Sequence, residues 1–130
     1  MRQYRSVIKT NKFPQLTRRV FTTADGLKSD NVTAMRFDNN GVLFVGTDKG
    51  LARFDGEKFS PVSIGAKDAA ISMIYFNAEN HMFVGVGNSM LEFDGKKKLS
   101  EKQFSSKLID IEVDLDGATW ILTESVLYKL

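Results

Sequence analysis

"DNNGVLFVGTDKGLARFDG", Asp38 to Gly56, is the stretch that decides how this chain folds. It holds two short apolar runs, Val42–Val45 and Leu51–Phe54, set between Asn, Asp and Gly. Short runs rich in β-branched and aromatic residues, bounded by turn formers, read as strand-turn-strand. Asn39-Asn40-Gly41 and Asp55-Gly56 carry the residue types that tight hairpins demand.

The stretch recurs. Val32–Gly56 aligns with Ile71–Gly95 at an offset of 39 residues and without a gap. Phe37 falls on Phe76, Phe44 on Phe83, Val45-Gly46 on Val84-Gly85 and Phe54-Asp55-Gly56 on Phe93-Asp94-Gly95. A third copy starts at Leu108, with Asp114 on Asp38, Gly117 on Gly41, Trp120 on Phe44 and Thr123 on Thr47. Its last residue, Leu130, is the counterpart of Phe54. A period near 40 residues with regular turn signals marks a repeat architecture. No segment carries an i, i+3, i+4, i+7 apolar stripe, so the repeat is not helical. Copy one predicts strands at 31–38, 41–47, 50–54 and 57–63. Four antiparallel strands per repeat make the blade of a β-propeller. The expected fold is all-β, with blades at 31–69, 70–106 and 107–130, the third lacking its outer strand. Residues 1–30 form an N-terminal segment whose strand-like pieces, Tyr4–Ile8 and Arg18–Thr23, are expected to complete another blade.

Composition bounds the function. A formal charge of +2 is close to neutral, so charge gives no nucleic-acid reading. With no cysteine there is no disulfide framework and no thiolate metal site. No apolar run nears the roughly 18 residues that cross a bilayer, so no membrane insertion by this segment is expected. The N-terminus has charge but no apolar core, and as written it does not read as a signal peptide.

Phe21–Gly56 resembles the two-component regulator propeller repeat. That pattern has a Gly-Leu, a polar loop, an apolar strand, an Asp-x-x-Gly turn, Trp-Ile-Gly-Thr and a second Gly-Leu. The matching residues are Gly26-Leu27, Asp38 and Gly41, Phe44-Val45-Gly46-Thr47 and Gly50-Leu51. Copy three restores the tryptophan as Trp120-Ile121-Leu122-Thr123 but has Leu122 where the pattern has Gly. Copy two keeps Phe83-Val84-Gly85, has Asn77 and Asn80 for the turn Asp and Gly, and has Ser89-Met90 for the Gly-Leu. The resemblance covers residues 20–130. It implies a non-catalytic β-propeller from the sensor part of a bacterial hybrid two-component system, periplasmic or extracellular, that senses a glycan or small molecule. Short loops leave a second reading open, a protein-interaction scaffold with no small ligand. A propeller lyase or glycosidase needs convergent carboxylates or a partnered histidine, and no motif for either is present.

Three blades alone leave flanks exposed, which invites edge association. The expected partners are therefore the chain itself, in a head-to-tail dimer or other ring, or further blades of a longer chain.

Chemistry-bearing residues are few. His81, the single histidine, reads as a turn residue without a partner. The Asp38–Gly41 and Asp114–Gly117 turns lack the oxygens of a calcium loop, and "DLDGATW" misses the sialidase Asp-box by having Leu115 two before Gly117. Lys96-Lys97-Lys98 reads as a solvated hairpin tip. Phe37, Phe44, Phe76, Phe83 and Trp120 are expected in the inter-blade core. Ligand-binding candidates sit in loops on one end of the blades: Lys28, Asp30 and Asn31 before the first strand, Asp48 and Lys49 after the second, then Asn88 and Glu124 at the equivalent turns. Arg36, Asp110 and Glu112 interrupt apolar alternation on the innermost strands and are expected either to line a central channel or to pair with neighbours. No catalytic residue, cofactor or metal is expected.

Overall fold

The computed structural model describes residues 18–130. Strands β1 (Val32–Phe37), β2 (Leu43–Thr47), β3 (Gly50–Phe54) and β4 (Phe59–Val62) form one antiparallel sheet in sequential order. Strands β5 (Ile71–Phe76), β6 (Met82–Val86), β7 (Ser89–Phe93) and β8 (Lys98–Gln103) repeat it. Strands β9 (Leu108–Val113), β10 (Thr119–Thr123) and β11 (Leu127–Lys129) make a three-stranded third sheet. These are propeller blades in an open arc. The inner strands β1 and β5, and then β5 and β9, lie side by side. Each inner hairpin carries a register shift at the same repeat position: between Val32 and Ala34, between Ile71 and Met73, and between Leu122 and Thr123.

The turns explain the Asp and Asn of the repeat. Asp38 Oδ1 accepts from the N–H of Asn40 at 2.9 Å and of Val42 at 2.8 Å. Asp114 Oδ1 does the same for Asp116 and Ala118, at 2.9 and 3.0 Å. In the second blade Asn77 Oδ1 takes the N–H of Glu79 and His81, and Asn80 adopts φ 62° in place of the glycine. The amide oxygen closes an Asx turn as well as a carboxylate does, and Asn tolerates the left-handed region. Copy two departs from the sequence pattern while the turn itself is kept. Asn39 also donates from Nδ2 to the Asn77 carbonyl at 2.9 Å, and its N–H meets Asn80 Oδ1 at 2.8 Å. The first two blades are thereby clipped together at the tips of their inner hairpins.

Between these blades a core of Leu51, Ile64, Ile71, Ile74, Met82, Val84 and Leu91 is buried. Phe44 packs on Phe76 with ring centroids 5.1 Å apart. The approach is closest at Gly46, where an added Cβ would lie 2.5 Å from Ile71 Cγ2 and 2.7 Å from Ile71 Cβ. Between the second and third blades Met73, Met90, Leu108, Ile111 and Ile121 are buried, with Tyr75, Phe83, Phe104 and Tyr128 around them. On its other flank the first blade buries Leu27, Val45, Ala52 and Phe59, and Phe21 meets Phe54 and Phe59 edge-on at 5.3 and 5.6 Å.

Two expectations are corrected. Arg18–Thr23 forms no strand; the chain runs irregularly into a short 3-10 helix, Thr23–Asp25, closed by a Thr22–Asp25 capping box. Phe21 is used as a plug for the first blade, so backbone pairing gives way to side-chain burial. The other piece, Tyr4–Ile8, lies outside the described residues. Phe37 and Trp120 are not in the inter-blade core: Phe37 is 61% exposed, with Met35 beside it 71%, and Trp120 lies on the outer flank of the third blade under Lys129. Phe76, the counterpart of Phe37, is covered because Phe44 of the preceding blade packs on it. Among the described residues no preceding blade exists to cover Phe37.

Phe44→Ala is expected to cost about 2–4 kcal/mol in urea unfolding, and Phe37→Ser to stay within about 0.5 kcal/mol. The turn carboxylates set an acid limit. Asp55, Asp94 and Asp114 are held below the usual value of 3.8, chiefly by the Lys58 N–H, the Lys97 N–H and the Trp120 indole respectively. A depressed carboxyl stabilises the fold above its unfolded value and ceases to do so as pH falls through its folded value. The melting temperature is therefore expected to change little through these groups at neutral pH and to fall below about pH 4. Asp114→Asn is expected to flatten that acid limb.

Candidate functional site

The loops that enter the inner strands, and the turns that join second to third strands, share one end of the blades. In blade 1 the Asp48 N–H donates to the Asn31 carbonyl at 3.2 Å, and Asn31 Nδ2 donates to Asp48 Oδ2 at 3.3 Å. The Ser29 hydroxyl, then the Asn31 amide, hold the Asp48 carboxyl below its usual range, with the Lys49 ammonium adding a smaller effect. Asp30 Oδ1 accepts from the Thr23 N–H at 2.9 Å. Asp30, Asn31 and Asp48 are thus engaged in shaping the loop.

Lys28 and Lys49 are placed differently. Both line a shallow groove of about 370 Å³ that runs over Leu51, Val62 and Ile64 to Asp68. Lys28 Nζ lies 4.0 Å from Asp68 Oδ1, a partly exposed pair that contributes little. Lys49 makes no ion pair among the described residues. The structure brings these two candidates together.

The other candidates stay apart from them. Asn88 Nδ2 donates to the Phe104 carbonyl at 3.0 Å, and the Phe104 N–H returns to the Asn88 carbonyl at 2.8 Å. Asn88 fixes the passage from the second blade to the third. The Glu124 N–H donates to the Lys107 carbonyl at 2.9 Å, and its side chain is in solvent. Arg36 lies between blades, its guanidinium 5.3 Å from the centre of the Tyr75 ring. Asp110 and Glu112 are opposite Leu122 and Trp120 in the β9–β10 ladder. They share a flank of the third blade that no other described element covers. None of these three makes an ion pair among the described residues.

Two features escaped the sequence. His81 does have a partner: Nδ1 lies 3.0 Å from Glu92 Oε2, and Glu92 Oε1 accepts from the Ser100 hydroxyl at 3.0 Å. The three residues sit across the second blade, so the contact depends on strand pairing rather than on spacing. The carboxylate stands between the imidazole and the hydroxyl, so the histidine is not placed to take the proton of Ser100. The second feature is a cleft of about 470 Å³ between blades 1 and 2, at the end carrying the Asp38–Gly41 and Asp94–Lys97 turns. Phe44, Phe76, Met82 and Phe93 line it with Arg53, Lys96 and Lys97. The repeat-equivalent phenylalanines were its only trace in the sequence. No cluster of three or more metal-ligating side chains occurs among the described residues.

Comparison with known proteins agrees with this geometry. Residues 26–49 match the family model described as two component regulator propeller. No curated protein sequence matches the chain. Among solved structures, the extracellular domain of the hybrid two component system BT3049 from B. thetaiotaomicron superposes with a TM-score of 0.66 at 17% identity. That match covers 85% of this chain and 17% of the other. A catalytically inactive virginiamycin B lyase from Staphylococcus aureus, solved with quinupristin, gives a TM-score of 0.61 at 14% identity, covering 81% of this chain and 42% of the other. At such identities the likeness concerns the fold, and the chain spans less than half of either structure. No helix among the described residues is long and apolar enough to cross a membrane. The chain is built of β-propeller blades, and residues 26–49, which lead into and form the inner hairpin of the first blade, are similar to the two component regulator propeller.

Proposed function

We propose that this chain is a non-catalytic part of a ligand-sensing propeller belonging to a bacterial two-component system, working in the periplasm or outside the cell. The observation that carries the reading is the repeat match at 26–49 on blades stacked as in the extracellular domain of a hybrid two component system. The open flanks call for further blades, from a longer chain or from a second copy, to complete the ring.

The ligand site of this reading is the groove at Lys28 and Lys49. Two ammonium groups beside an apolar floor of Leu51, Val62 and Ile64 fit a saccharide that carries a carboxylate or sulfate. The sugar ring would lie on the floor and its anion would meet the lysines. A second reading, an interaction scaffold without a small ligand, draws on a different observation. Asp30, Asn31, Asp48 and Asn88 spend their side chains on holding loops, which leaves few polar groups to grip a small molecule.

A thermal-shift screen with uronic-acid and sulfated oligosaccharides separates the two. A sensing groove predicts a rise of several degrees with ligand about a hundredfold above Kd, and an affinity weakened about tenfold by Lys49→Ala. A panel that leaves the melting temperature unchanged favours the scaffold.

A further inference from the structure

The stacking seen inside the arc bears on the flank of the third blade that no other described element covers. In blades 1 and 2 the last residue but one of the second strand is glycine: Gly46 and Gly85. Each faces the first residue of the next inner strand. At Gly46 a Cβ would come within 2.7 Å of Ile71 Cβ, a backbone-anchored atom that cannot swing away. At Gly85 a Cβ would lie 3.4 Å from Leu108 Cβ, and 2.6 Å from both Met73 Cγ and Ser72 Oγ of its own sheet. At Gly46 the next blade itself leaves no room for a branched side chain; at Gly85 the crowding comes from its own sheet, and Leu108 stays at ordinary contact distance. The third blade has Leu122 here, 42% exposed, on one face with Trp120 and Leu127.

The other repeat-equivalent pairs favour a second copy on this flank. Phe44 packs on Phe76 inside the chain, so Trp120 would pack on a second copy's Phe37, which is exposed here. Arg36 lies over Tyr75, so Glu112 would meet the second copy's Arg36 with opposite charge. Leu122, however, would meet Val32, whose Cβ occupies the place of the Ile71 Cβ. An exposed ion pair contributes little, whereas forcing side chains into a close backbone approach costs more. Shape therefore outweighs charge.

We propose that Leu122 selects the partner of the third blade: it excludes a second copy of this chain in the regular stacking geometry and accepts a blade with glycine or alanine at the place of Ile71. In such a pair the knob and the hollow are exchanged between the two blades, with the same spacing kept. The proposal rests on the reading that further blades cover the open flanks, and on no ligand.

The test is association measured by sedimentation velocity on the wild type, Leu122→Gly and Val32→Gly, each checked for native far-UV circular dichroism. The wild type is expected to remain a monomer at about 100 µM. Removing either side of the clash is expected to tighten head-to-tail association at least about tenfold, and Phe37→Asp added to either variant is expected to abolish it. Val32→Gly changes the opposite flank, so a folding defect in one variant leaves the other to decide. The proposal is overturned by a wild type that already associates, by two folded variants that both stay monomeric, or by association that survives Phe37→Asp. Ligand screening has no bearing on any of these outcomes.

Discussion

The contact on which the arc depends is the approach of Gly46 to Ile71. There the bare backbone of Gly46 on the second strand of one blade receives the Ile71 side chain from the inner strand of the next. The missing Cβ lets Phe44 reach Phe76 and lets Leu51 and Val84 close the apolar layer. A four-stranded sheet is apolar on both faces in this chain, so it is stable only between neighbours. Burial at about 25 cal/mol per Å² of apolar surface is gained chiefly at such joints. The joint is also where the blades are tied by polar groups, through the Asn39 and Asn80 side chains at the hairpin tips.

The polar side chains of the repeat are for the most part structural. Asp38, Asn77 and Asp114 each turn an oxygen back on two N–H groups of their own hairpin. Asp55 and Asp94 do so at the next hairpin. Trp120 donates from its indole to Asp114 Oδ2 at 2.9 Å, tying the third turn to its own second strand. Charged or neutral, these side chains each hold a hairpin of their own blade. What remains for recognition are the lysines, Arg53 and the outer carboxylates, standing over the few apolar surfaces that stacking leaves open.

A blade arc of this kind is a rigid frame with function confined to its loops and joints. The loops are short, so the concave surfaces are shallow: a groove at one end of the first blade and a wedge between the first two blades at the other.

The sequence by itself determined the local geometry. Turn formers at fixed offsets and apolar runs of strand length specify hairpins, because φ above zero and Asx closure belong to few residue types. The 39-residue offset between Phe44 and Phe83 then implied identical sheets. The lysine candidates were legible as loop residues, since loop position follows from strand position. What the tertiary structure alone decided was which faces are covered. Phe37 and Phe76 are the same residue at the same repeat position, yet one is exposed and the other is packed, because cover comes from the preceding blade. His81 and Glu92 meet across a strand pair, and Asp110 and Glu112 lie on a flank that no periodicity distinguishes from an interface. Backbone preference is a property of neighbours along the chain; burial is a property of neighbours in space.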